Sequence, residues 1–324
     1  MATIVAQANG QYHAGATWTG GVVPGAADTA RTGNFTVTIS SADVTADMLE
    51  ATGSGQFVVD TAGRTITANI RASGTNTNGA LQCTHAAGVV TISGAITQNS
   101  SATNAHTVNV TGTGDVVING NVTGGTGSGY AVRHNSTGTV AITGNVMGGS
   151  GSNSVCVFNN STGTVAITGN ATGGSGSNSY GALNMNTGTV AITGNATGGS
   201  TNTARGAHNQ GTGTLTVGGI CYGGTELRAF GLYGANAGGV TTFKRAVFGD
   251  GVSSPVGGYV RLQVDATVNY AEFPRHDTGA AHRMSNDYPV EADVKTGVVY
   301  QLGTRTGTLV GGAVGISPIR GNVG

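Results

Sequence analysis

The chain copies itself. GTVAITGNVMGGSGSNS begins at Gly138, GTVAITGNATGGSGSNS at Gly163 and GTVAITGNATGGS at Gly188, one fixed step from each copy to the next. GTLTVGG follows at Gly213 and GDVVINGNVTGGTGSG precedes at Gly114. GVVTISGAI at Gly88, GRTITANI at Gly63 and GGVTTFKRAVFG at Gly238 extend the series to eight units between about residues 63 and 260. One such unit is too small to bury its own apolar face, whereas stacked units share a continuous core.

Each unit holds two short strand patterns. In V-A-I-T at 140–143, alternation puts Val140 and Ile142 on one face and Ala141 and Thr143 on the other. The second pattern reads A-V-R, C-V-F, G-A-L and G-A-H in four successive units. Its middle residue (Val132, Val157, Ala182, Ala207) is small and apolar, which suits a core. The next residue (Arg133, Phe158, Leu183, His208) varies freely and is read as outward. These patterns predict an all-β parallel β-solenoid with coils of about 25 residues, a rod of roughly 40 Å at a strand spacing of about 4.8 Å. Asn121, Asn145, Asn170 and Asn195 recur after the same turn and are expected to bond along the rod. Residues 1–62, with Trp18, read as a capping segment closing an open edge. Residues 63–264 are the repeats, and residues 265–324, which lose the period, read as a C-terminal β-rich attachment or capping module.

Composition narrows the class. Only 9% of residues are charged, the net charge is zero and there are 59 Gly, against about 25% charged residues in ordinary domains. No apolar run reaches the length of a membrane span. Glycine does not recur every third residue, so this is not collagen. No basic excess exists to displace counterions from nucleic acid. MATIVAQANGQYH lacks the basic start and apolar core of a signal peptide, giving the expectation of synthesis in a cytoplasm without export by that route. Cys83, Cys156 and Cys221 fit neither a metal spacing nor a disulfide framework, and are expected to be buried thiols.

Chemistry is scarce along the coils. Residues 116–225 contain no Asp or Glu, and only Arg133 and Arg205 as cations. Glycosidases usually need two carboxyls, and lyases a base with a charge-stabilising partner. The expectation is therefore no catalytic residue and no enzymatic activity. GGTGSG and GGSGSN lack the Asp of calcium-binding repeats, and no GK[ST] follows the GNVTGG turns. His276, Asp277, His282 and Asp287 are read as surface residues, so no metal and no cofactor is expected. Thr139, Ala141 and Thr143, with their copies, form a Thr/Ala face that reads as solvated or as a subunit contact. An ice-binding array is a further alternative.

The stretch YPVEADVKTGVVYQLGTRTGTLVGG at 288–312 resembles a segment of tailed-bacteriophage virion proteins, of the form D-V-[RK]-x-G-V-x-Y, a Gly turn, then T-G-T. Asp293, Val294, Lys295, Gly297, Val298, Tyr300, Gly303, Thr306, Gly307 and Thr308 carry the likeness, within that one stretch of the chain. The N-terminal W-T-G-G-x-x-P pattern is similar to starts of phage and bacterial surface solenoids. The resemblance implies a virion structural protein, decorating or cementing the capsid, whose partner is the major capsid or another virion protein. The alternatives are a tail fibre or spike binding a host surface glycan without cleaving it, and a bacterial adhesin. Val155, Phe158, Tyr180 and Leu183, apolar in outward columns, are the candidate interface of a homo-oligomer, by analogy a trimer. Asp293, Lys295, Tyr300 and Arg305 are the attachment candidates in the charged C-terminal module.

Overall fold

A computed structural model describes residues 2–74, 79–104, 106–200 and 204–223. Beyond these it describes the backbone of the strands Phe230–Gly234, Val240–Val247, Tyr270–Pro274, Ala281–Ser285, Val299–Tyr300 and Arg305–Thr306. The fold is a parallel β-solenoid. The coils between Val89 and Asn209 each contribute three strands, one more than the two patterns in the sequence, whereas in Val44–Ala51, Thr65–Ala72 and Thr214–Tyr222 the first two run together as one. In one coil the three are Thr139–Thr143, Val146–Met147 and Val157–Asn159. The extra strand is too short for alternation to show.

In the three-stranded coils the first two strands belong to one sixteen-stranded sheet and the third to a ten-stranded sheet; where the first two run together, the long strand joins the larger sheet. Pairing joins each residue to its own copy. Val140 pairs with Val165, then Val190 and Leu215; Ile142 pairs with Ile167, then Ile192 and Val217. In the other sheet Val132 pairs with Val157, Val157 with Ala182 and Ala182 with Ala207. The valines and isoleucines are buried, and Thr143 and Thr168 face solvent with Thr139 and Thr164 half-buried, as alternation requires. Each apolar side chain removed from water contributes about 1.5–3 kcal/mol, so the inward columns dominate the favourable terms.

Sharp corners keep the coils aligned. Gly144 and Gly169 turn the first strand into the second at φ +155° and +159°, where a side chain would meet the carbonyl of the coil below. The following asparagines bond along the rod, but by side chain to backbone and not as an amide ladder. Asn121 Oδ1 accepts from the Asn145 N–H at 2.8 Å, Asn145 Oδ1 from Asn170 at 2.9 Å and Asn170 Oδ1 from Asn195 at 2.8 Å.

The strand pairing starts at Thr3, opposite Thr29, so residues 1–62 carry coils as well as an end. Ala30, Leu49 and Ile70 follow one another in one column, at shorter steps than the later copies take. These shorter coils fall outside the period of the repeats. The end is closed by Trp18, fully buried, which lies edge-on to Tyr12 at 5.3 Å and donates from Nε1 to the Tyr12 carbonyl at 2.6 Å. The chain divides into two compact units, Met1–Arg283 and Met284–Gly324. In the second, Val299–Tyr300 pairs antiparallel with Arg305–Thr306.

Ile167 lies between Ile142 and Ile192 in the core. Ile167→Ala is expected to lower the unfolding free energy by about 2–5 kcal/mol. Thr168→Ala, on the exposed side of the same strand, is expected to stay within about 0.5 kcal/mol. Denaturant titration followed by circular dichroism checks the contrast; equal losses would mean the inward column is misassigned.

Candidate functional site

The outer face of the third strand column gathers the non-repeating side chains. Gln82, Asn109, Arg133, Phe158, Leu183 and His208 stand at one register position in successive coils. Beside them run His106, Tyr130, Val155, Tyr180 and Arg205, each at the start of a third strand or just before it. The first inward position of the same strands from Val108 on is held to Val or Ala by the core, so variety collects outside.

At the C-terminal end of this strip the apolar groups cover one another. Val155, Phe158 and Leu183 are only 2%, 8% and 6% exposed, in a small cluster against half-buried Tyr130 and Tyr180. Tyr130 stacks on Phe158 at 4.3 Å. Three of the four residues expected at a subunit interface are therefore already covered within the chain, and Tyr180 is partly so. The sequence could not show this, because the covering groups lie one coil apart. His208 and Arg205 close the strip. The Arg205 guanidinium sits 5.2 Å from the Tyr180 ring centroid and donates from Nη1 to His208 Nδ1 at 2.9 Å. Burial, then the Arg205 charge, pushes the His208 pKa down to about 3, so the ring is neutral at physiological pH.

At the N-terminal end the strip opens into a cleft of about 630 Å³, with Gln82, Asn109 and Arg133 from consecutive coils between Gln56, Asn104, His106 and Tyr130. Phe158 and Asn160 also line it, and among the described residues no carboxylate does. His106 stacks on Tyr130 at 4.9 Å with the rings 4° from parallel. Burial, then the Arg133 charge, lowers the His106 pKa to about 4. The neutral ring accepts the Tyr130 N–H at Nδ1, 3.2 Å away, so its proton is on Nε2. With the Asn135 amide turned to present its oxygen, that oxygen accepts from Arg133 Nε at 3.2 Å and Nη2 at 2.7 Å, which fixes the guanidinium. Asn109 Oδ1 is buried with no hydrogen-bond partner among the described residues.

A polar ladder inside the rod has a sequence signal that strand alternation does not use: His134, Asn159, Asn184 and Asn209 recur at the period of the repeats. His134 Nδ1 bonds Asn159 Oδ1 at 3.1 Å, Asn159 Nδ2 donates to Asn184 Oδ1 at 3.2 Å and Asn184 Nδ2 to Asn209 Oδ1 at 3.2 Å. Each Asn Nδ2 also donates to a turn carbonyl, of Gly163, Gly188 and Gly213 respectively. This ladder is buried and internally bonded, which makes it structural. Cys83, Cys156 and Cys221 are buried and unpaired, and burial raises all three thiol pKa values, to about 12 for Cys83 and Cys221. Their thiolates, the reactive forms, are suppressed.

Asp293 and Lys295 lie outside the described residues, as do His276, Asp277 and Asp287, while Tyr300 and Arg305 face each other in register on the antiparallel pair. No family model matches the chain, and neither curated proteins nor solved structures give a match.

Among the described residues of the rod one carboxylate is buried, and its partners tie it to structure. Arg31, Glu50 and Arg71 stack in register on three coils. Glu50 Oε2 accepts from Arg31 at 2.7 Å, and Oε1 accepts from Arg71 at 2.6 Å and Ser73 at 2.9 Å. Burial raises the Glu50 pKa, but these bonds outweigh it and hold the group below its ordinary value. A carboxyl lowered on folding stabilises above its unfolded pKa, and the gain is lost as pH falls through the folded value. Glu50→Gln is thus expected to cost about 1.5–3 kcal/mol at pH 7, with the gap to wild type closing below about pH 4. Thermal melts from pH 7 to pH 3 check it; a gap that widens in acid would reverse the sign.

Proposed function

We propose that this chain is a non-enzymatic structural protein of a bacteriophage particle, a rigid β-solenoid that decorates or cements the capsid. The observation that carries the reading is the in-register rod built on residues 116–225 without one carboxylate, so that span offers stiffness and surface but no acid–base pair. The phage-like segment at 288–312 supports placement on a virion. It lies within the second unit, Met284–Gly324, which also holds the charged residues Asp287, Glu291, Asp293, Lys295 and Arg305. Specific docking onto a protein lattice needs polar groups that fix orientation, and the coils are poor in them. The second unit is accordingly the anchor, through Asp293, Lys295, Tyr300 and Arg305, with the major capsid or another virion protein as partner. The rod works as a homo-oligomer, by analogy a trimer, but not through the Val155, Phe158 and Leu183 cluster, which its own chain covers. A second reading, a fibre or spike that holds a surface glycan, is favoured by the polar cleft at Gln82, Asn109 and Arg133.

Deleting residues after Arg283 separates anchor from cap. The expected outcome is a soluble, β-rich protein that no longer binds particles lacking the native copy. Aggregation of the shortened chain would make the second unit a cap, and undiminished binding would move the anchor to the Trp18 end. Incubated with capsular polysaccharide or lipopolysaccharide, the full chain is expected to release no reducing ends and no unsaturated sugars. Release abolished by changing a single acid would overturn the non-enzymatic reading.

A further inference from the structure

The cleft on the outer strip is a built site whose chemistry points to one class of ligand. Its floor is a column from consecutive coils, Gln82, Asn109 and Arg133, ending against Phe158. Three strand intervals separate Gln82 from Phe158, about 14 Å at the spacing of paired strands, and the volume of about 630 Å³ suits an oligomer of a few small units better than a single ion. Five of the nine described lining residues are amides: Gln56, Gln82, Asn104, Asn109 and Asn160. An amide offers a donor and an acceptor side by side, the complement of a hydroxyl that does both at one atom. The protonated Nε2 of His106, deduced above, adds a neutral donor.

Two observations go beyond a polar surface. Asn109 lines the cleft while its Oδ1 is buried and unpartnered, a deficit that turning the amide to meet an incoming hydroxyl would relieve. Among the described residues of the lining Arg133 is the one ionised side chain, Asn135 fixes it from one side, and no carboxylate neutralises it. A fixed guanidinium with unused N–H groups is suited to a carboxylate. Nucleic acid would need many cations along the strip, where the lining supplies one. A protein partner would favour apolar anchors at the centre, but the centre here is Asn109 and Arg133.

We propose that this cleft binds an acidic oligosaccharide, with hydroxyls on the amide residues and Asn109, and a sugar carboxylate on Arg133. The inference deepens the second reading of function, and it holds for a capsid-bound rod as much as for a fibre.

The test uses the full chain on an array of oligosaccharides of galacturonate, hyaluronan and sialate, with malto-oligosaccharides as neutral controls. The best acidic ligand is then titrated calorimetrically. Binding is expected among the acidic sugars, weakened about ten-fold or more by Arg133→Gln through loss of the charge-assisted bonds. It is expected to weaken similarly in Asn109→Leu, which removes the unpartnered acceptor. Gln82→Ala is the second floor variant should Asn109→Leu disturb the fold, with circular dichroism of each variant matching wild type. A blank array, a preference for the neutral sugars, or acidic-sugar binding unchanged in Arg133→Gln would each overturn the proposal. None of these outcomes bears on particle attachment, which the deletion after Arg283 tests separately.

Discussion

Everything in this rod follows from the pairing of each residue with its own copy in the next coil, about 4.8 Å away. A side chain is acceptable only if it tolerates itself as a neighbour above and below. Val and Ile do so by packing, Thr by its β-branched shape, and Asn by supplying donor and acceptor together. A charged side chain does not, because like charges would stack along the whole column. The 9% charge content is therefore a consequence of the architecture. The exception supports the rule: where the coils cease to copy one another, Arg31, Glu50 and Arg71 stack with alternating sign.

The same constraint explains where chemistry can sit. Inward columns are committed to packing and to the His134–Asn209 ladder, and corners to glycine and asparagine. The outward positions of the third strand differ most from coil to coil, and they carry the cleft and the ring stack above it. Specific recognition on a solenoid thus needs local departure from the repeat, which here runs from Gln82 to His208.

The register of the first strand was legible in the sequence because Val140, Ile142 and their copies alternate with Thr and Ala in near-identical segments. The strand Val146–Met147 was not legible, since so short a strand carries no period. The coils before residue 63 were missed because their shorter steps break the count, although Ala30, Leu49 and Ile70 occupy one column. Of the candidate site, Arg133, Phe158, Leu183 and His208 were recognised as one outward column. What they do was hidden, because Tyr130 meets Phe158, and His106 meets Tyr130, only once the chain has wound a full coil. Exposure of such groups cannot be read from strand alternation alone.

The near-identity of the coils beginning at Gly138, Gly163 and Gly188 has a consequence for how the molecule changes over generations. A coil duplicated whole brings its own valine, isoleucine, ladder asparagine and corner glycine, and meets its neighbours as the originals do. A coil lost whole leaves the same faces to close against each other. Repeated DNA invites such gains and losses, so rod length can drift in single-coil steps of about 4.8 Å while both ends stay intact. Rod length becomes a heritable quantity adjusted by copy number, with no new residue to be selected.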